Sequence, residues 1–139
     1  MRSLLRQVPV IGVDTTILVR YLIQDDEKQT VRAVKFLESH CTVATPGFIS
    51  CTVLCELTWL LHKGYKFAKP DIINLLRGLL GTKQFCVEDE VQAWLALRDD
   101  EQDSADDDYL LAHRNQQRGC THTVTFDRKA AKHWLFKVL

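Results

Sequence analysis

Val8-Pro9-Val10-Ile11-Gly12-Val13-Asp14-Thr15-Thr16 is the stretch whose reading decides the fold. It is an apolar run too short for a helix, and it ends in one carboxylate followed by two hydroxyls. A buried parallel strand that delivers an acid to the edge of a sheet has this form. In open α/β sheets ligands bind beyond the carboxyl ends of the strands, which is where Asp14 falls. The plainer reading makes Asp14 the cap of the next helix, with Ile17, Leu18 and Tyr21 starting that helix's apolar face.

Outward from this stretch, strand-like and helix-like segments alternate. Ile17 to Ile23 suits a short helix halted at Asp25-Asp26, and Glu27 to Glu38 an amphipathic one with Val31, Val34 and Leu37 on one face. Cys41 to Thr45 is a β-branched run bounded by Pro46-Gly47 and is read as the second strand. Phe48 to Leu61 reads as a strongly apolar helix that contains Glu56, a carboxylate either held away from water and needing a partner or lying on the helix's wet edge. Pro70-Asp71 opens another helix, closed by Gly81, whose broad apolar stripe serves the core or a partner. Gln84 to Val87 is a third, weak strand. Glu88-Asp89-Glu90 then gives the next helix an acidic first turn, with Val91, Trp94 and Leu95 as its buried face.

The most acidic stretch, Asp99 to Asp108, leads into a helix from Tyr109 to Arg118 closed by Gly119. Asp108 directly precedes the packing residues Tyr109-Leu110-Leu111-Ala112. The last clear strand, Thr121 to Phe126, again ends in a carboxylate, Asp127. Arg128 to Lys132 is a basic turn, and Trp134 to Leu139 a terminal edge strand. Strands alternating with helices imply a mostly parallel sheet between helical layers, within a single domain spanning residues 1–139.

Composition narrows the function classes. The chain has 139 residues, 46% apolar and 26% charged, with a formal net charge of zero. Any nucleic-acid site is therefore a local patch. No apolar run is long enough to span a bilayer, and Met1 to Arg6 lacks a signal peptide's apolar core. Five scattered cysteines fit reduced, buried thiols and a cytoplasmic location. Cys51 and Cys55 lie one turn apart, but no His or Cys pair completes a zinc pattern. A Gly-rich phosphate turn and a nucleophile-elbow serine are both missing. A phosphatase of the HAD type would want a second Asp where Thr16 stands. The five histidines are dispersed, and His113 reads as a surface or helix-packing residue.

Four acids remain: Asp14, Glu56, Asp108 and Asp127. Gathered at one rim without neutralising bases, they would repel each other or hold a divalent cation. Oxygen-only ligands suit Mg²⁺ or Mn²⁺. Such a site supports attack of water on a phosphodiester, with Arg128 and Lys129 available for substrate phosphates.

In family order, Val13-Asp14-Thr15-Thr16-Ile17-Leu18-Val19-Arg20-Tyr21-Leu22, Glu56 within Val53 to Leu61, Asp108 to Ala112, Gly119-Cys120 and Thr125 to Ala131 resemble the motifs of PIN-domain proteins, especially VapC-type toxins. The resemblance implies a three-layer α/β/α PIN-like fold, its central, mostly parallel sheet of four to five strands flanked by helices. It also implies a Mg²⁺- or Mn²⁺-dependent endoribonuclease. Asp14, Glu56, Asp108 and Asp127 become metal-binding and catalytic acids, Thr15 a hydroxyl partner and Arg128 a supporting cation. Expected partners are an RNA substrate, a VapB-like antitoxin and a second copy in a homodimer, with no membrane. The alternative is a non-catalytic PIN-like domain that binds RNA or a protein partner. Two positions depart from the pattern. Thr16 stands where Asn is frequent, and Ala105 falls on an earlier family acid, with Asp106 or Asp107 in its place or the pocket one acid fewer. A shifted register through Asp103 to Asp106 is disfavoured because it turns polar residues onto the packed face.

Overall fold

The structure, a computed structural model, describes residues 11–102 and 109–139. The chain divides into two compact units, the first ending at Glu88 and the second running from Asp89 to Leu139.

The first unit contains strands β1 (Ile11–Gly12), β2 (Gly47–Ile49) and β3 (Phe85–Val87) in the order β1-β2-β3. All are parallel, with Ile11 opposite Gly47 and Ile49 opposite Val87. Parallel neighbours need crossovers. Helices α1 (Thr15–Ile23) and α2 (Glu27–His40) make the first. Helix α3 (Cys51–Trp59), the π-helical turn Leu60–Gly64 and α4 (Lys69–Leu80) make the second. One further ladder bond, from the Val13 amide to the Phe48 carbonyl at 2.8 Å, carries pairing to the residue before Asp14. Asp14 therefore stands at the carboxyl end of its strand. It also caps α1, so both readings of the residue hold.

The second strand lies later than its sequence suggests, at Gly47–Ile49 rather than Cys41 to Thr45. The threonines of the earlier run bond locally instead of joining a ladder. The Thr45 amide donates to Thr42 Oγ1 at 3.0 Å, and the two hydroxyls lie 3.0 Å apart. Gly47, the first residue of the strand, lies at a point of close approach. A Cβ there would meet Cys41 Sγ at 2.7 Å and Val13 Cγ2 at 2.9 Å. The helix expected from Phe48 accordingly starts at Cys51, capped by Ser50 Oγ, which accepts the Val53 amide at 3.2 Å.

Cys51, Leu54, Leu57 and Leu61 form the buried stripe of this segment, and Ile72, Ile73, Leu76, Leu79 and Leu80 that of α4, whose apolar face is thus used by the core. On α2 the buried residues are Ala33 and Leu37, and Val31 is exposed. Cys41 and Cys51 are buried, Cys55 and Cys120 are exposed, and none of the five cysteines forms a disulfide.

The second unit contains α5 (Glu90–Gln102), α6 (Tyr109–Gln117), β4 (Thr123–Thr125), the 3₁₀ turn Ala130–Lys132 and β5 (Phe136–Val138). Strands β4 and β5 are parallel, with Thr123 opposite Phe136 and Thr125 opposite Val138. The packed face of α5 is Ala93, Ala96 and Leu97, while Val91 and Trp94 are exposed. The small alanines allow α5 and α6 to approach closely, and this choice turns the larger side chains outward. Helix α6 ends as expected at Gly119, whose φ of +102° is a conformation L side chains rarely adopt. Every described strand pair is parallel, as the alternation of elements implied. No described helix is long and apolar enough to cross a membrane.

Candidate active site

Asp14 is held by the turn that follows it. Its Oδ1 accepts the Thr15 amide at 2.7 Å, and Thr16 Oγ1 lies 3.5 Å from Oδ2. Thr15 is buried, but its hydroxyl reaches across to α3 and donates to Glu56 Oε1 at 3.4 Å. Residues 14 and 56 are thus linked through one threonine, with both carboxylates open to solvent. Glu56 lies on the wet edge of α3, off the stripe of Cys51, Leu54 and Leu57, and not inside the apolar core.

Among the described residues, neither Asp14 nor Glu56 has an Arg or Lys partner. Arg20, the cation of the same sequence motif, is committed elsewhere. Its Nη1 pairs with Asp25 Oδ1 at 2.9 Å and reaches the Tyr65 hydroxyl at 3.4 Å. The tyrosine bond and the neighbouring acid together raise the guanidinium pKa above its ordinary value. Two carboxylates bonded to one threonine, without an Arg or Lys partner among the described residues, offer hard oxygen donors of the kind that suit Mg²⁺ or Mn²⁺.

A further carboxylate stands at the same carboxyl edge of the three-stranded sheet. The Glu88 amide extends the ladder to the Ile49 carbonyl at 2.9 Å, and Glu88 Oε1 accepts the Cys51 amide at 2.8 Å. Glu88 thereby satisfies an orphan donor at the α3 N-terminus, together with Ser50. Its place in an acidic run pointed to the α5 N-terminus, so this role was invisible in the sequence.

Asp127 belongs to the second unit and follows β4. Its Oδ1 accepts the Lys129 amide at 2.8 Å and lies 3.4 Å from the Ala130 amide, which fixes the turn carrying exposed Arg128. Asp108, with Ala105, Asp106 and Asp107, lies outside the described residues.

One cluster has no signature in the sequence. His113 of α6 and His133, just before β5, both direct Nε2 at Asp99 Oδ2 of α5, at 2.6 and 2.7 Å. Tyr109 stacks on His133 at 4.5 Å between ring centroids. Of the two readings of His113, helix packing holds: the residue is buried and bonded to the neighbouring helix. These three side chains are close enough to hold a metal ion. The Leu135 amide, however, donates to His133 Nδ1 at 3.1 Å, so that nitrogen keeps its lone pair and Nε2 carries the proton. His133 thus acts towards Asp99 as a donor and has no lone pair to offer a cation. With two nitrogens and one oxygen, the donor set would in any case favour a softer ion than Mg²⁺. The cluster is a hydrogen-bonded clamp joining α5, α6 and the start of β5. Burial pushes the Asp99 carboxyl up, but the hydrogen bonds from His113 and His133 outweigh it and hold the group below its ordinary value.

The sequence pattern of the PIN domain matches residues 11–133. The VapC ribonuclease of Aquifex aeolicus (strain VF5) is 31% identical over 77 residues, covering 55% of this chain and 56% of that protein. The chain thus spans about half the length of this curated relative. No solved structure matches. The family pattern covers nearly all of the chain, from the first described strand to the histidine of the clamp, and the chain belongs to the PIN domain family.

Proposed function

We propose that this protein is a metal-dependent endoribonuclease that hydrolyses RNA phosphodiester bonds and acts as the toxin of a VapBC-like toxin–antitoxin pair. Asp14, Glu56, Asp108 and Asp127 are its metal-binding and catalytic acids, and Mg²⁺ or Mn²⁺ its cofactor. The observation that carries this reading is the Asp14–Thr15–Glu56 arrangement. Two solvent-open carboxylates from different elements are linked by one buried threonine, with no Arg or Lys partner among the described residues. Membership of the PIN domain family and likeness to a VapC ribonuclease support it.

A bound divalent cation supplies activation of the attacking water and stabilisation of charge on the leaving oxygen. The chain's residues do the positioning. The Thr15 amide holds Asp14 Oδ1 and so orients the carboxylate. The Thr15 hydroxyl does the same for Glu56 Oε1. Exposed Arg128 offers a guanidinium for a substrate phosphate beside Asp127. The partners that follow are an RNA substrate, a VapB-like antitoxin that covers the acids, and a second copy of the chain in a cytoplasmic homodimer.

The test is cleavage of a mixed RNA pool by wild type and Asp14→Ala in Mg²⁺, Mn²⁺ and EDTA. Cleavage that needs both the metal and Asp14 is expected. Binding of RNA without any cleavage would establish the non-catalytic alternative, and EDTA-resistant cleavage would overturn the metal-dependent reading.

A further inference from the structure

The end of the chain differs in charge from the rest. Residues 119–139 carry Arg128, Lys129, Lys132 and Lys137 against one carboxylate, Asp127, a net of +3 in a protein whose formal charge is zero. Among the described residues, none of these four cations has an ion-pair partner. The same segment exposes two large aromatic side chains, Phe126 at 81% and Trp134 at 68%.

The β4–β5 register orders these groups. Thr123 pairs with Phe136, Val124 with Lys137 and Thr125 with Val138, and the Leu139 amide donates to the Thr125 carbonyl at 2.8 Å. Side chains alternate along a strand and match across a ladder. Val124 and Lys137 therefore share one face, and the alternation continues it to Phe126 and Leu139. All four are exposed. Phe136, on the other face, is buried. Trp134 precedes the first paired level and Phe126 follows the last, so the aromatics bracket the ladder.

We propose that this face is a platform for single-stranded RNA, with a base stacked on Phe126 and the neighbouring phosphates held by Lys137, Arg128 and Lys129. Interspersed aromatic faces and cations are what unpaired nucleic acid binds, since every base has a π-face and every linkage a charge. A second copy of the chain is a poor occupant by charge. A two-fold contact through this face would bring two copies of a segment of net charge +3 together. The inference rests on the ribonuclease reading for its biological sense, because Phe126 immediately precedes Asp127. Its physical content is binding and does not require catalysis.

The experiment is fluorescence anisotropy of labelled single-stranded oligouridylate and of an RNA duplex, both in EDTA so that cleavage plays no part. It uses the full chain as wild type, Phe126→Ala, Phe126→Trp and Lys137→Gln, each checked for an unchanged melting temperature. Phe126 is exposed enough that its truncation leaves the core intact. Phe126→Ala is expected to weaken single-strand binding about tenfold or more, and Phe126→Trp to retain it. Lys137→Gln is expected to weaken binding and make its salt dependence shallower. Single-strand affinity should exceed duplex affinity. Unchanged binding by Phe126→Ala, or no binding by wild type, would overturn the proposal. So would a loss of dimer on size-exclusion light scattering with RNA affinity intact, which would make the face a contact between copies. Absence of metal-dependent cleavage with Phe126-dependent binding intact would remove the nuclease reading and leave the platform standing.

Discussion

Thr15 donates its hydroxyl to Glu56 Oε1 across 3.4 Å, joining residues 41 positions apart. Its own amide holds the preceding Asp14. One buried residue thus orients two carboxylates. Thr15→Val keeps most of the side-chain volume and removes only the hydroxyl. It is expected to lower the affinity for Mn²⁺ about tenfold, the scale on which loss of a partner behind a ligand acts. Isothermal titration with Mn²⁺ checks this, and an unchanged affinity would mean that the hydroxyl does not position Glu56.

Gly47 begins β2 at a point of close approach. Gly47→Ala places a Cβ against Cys41 Sγ and Val13 Cγ2. It is expected to cost about 1–3 kcal/mol, the range for overpacking a core. Pairing it with Cys41→Ala removes the nearer contact and should recover part of the loss. Urea unfolding of the two single variants and the double variant measures the coupling.

The α3 N-terminus draws on two side chains, Ser50 Oγ for the Val53 amide and Glu88 Oε1 for the Cys51 amide. Ser50→Ala is expected to cost about 1 kcal/mol. Glu88→Ala should lose a similar amount, about 1–3 kcal/mol, by leaving a partly buried amide without its partner. Thermal unfolding separates these from catalytic effects, because neither residue belongs to the proposed acids.

The Asp99 clamp gives a pH dependence of known sign. The carboxyl is held below its ordinary value by His113 and His133, despite burial. Its contribution is therefore fully present above the unfolded carboxylate pKa and is lost as pH falls through the depressed folded value. At neutral pH, Asp99→Asn should cost about 1–3 kcal/mol, since a neutral amide oxygen accepts the two imidazole N–H bonds more weakly than a carboxylate does. The gap between wild type and variant should close as pH is lowered below the ordinary aspartate value. Denaturant unfolding across that range checks it, and a gap that stays constant would contradict the clamp's charged form.

Much of this was legible from one dimension, and the failures have physical causes. The run ending in Asp14 could be read because a short apolar strand and a terminal carboxylate are local features. The end of α6 at Gly119 was likewise local. The second strand was misplaced because Thr42 and Thr45 look like strand residues but satisfy each other's polar groups. Exposed Glu56 was one of two readings until the stripe of Cys51, Leu54 and Leu57 fixed the rotation of α3. The clamp could not be read at all. Asp99 meets partners 14 and 34 positions away, and nothing in the sequence near His133 signals that its Nδ1 accepts the Leu135 amide.

The central proposal is that Asp14, Glu56, Asp108 and Asp127 are metal-binding acids. The most direct measurement is Mn²⁺ binding, followed by electron paramagnetic resonance of the free ion, for wild type and for Asp14→Asn, Glu56→Gln, Asp108→Asn and Asp127→Asn. Each substitution is expected to weaken binding by at least about tenfold. Wild-type affinity in both Asp14→Asn and Asp127→Asn would contradict the claim.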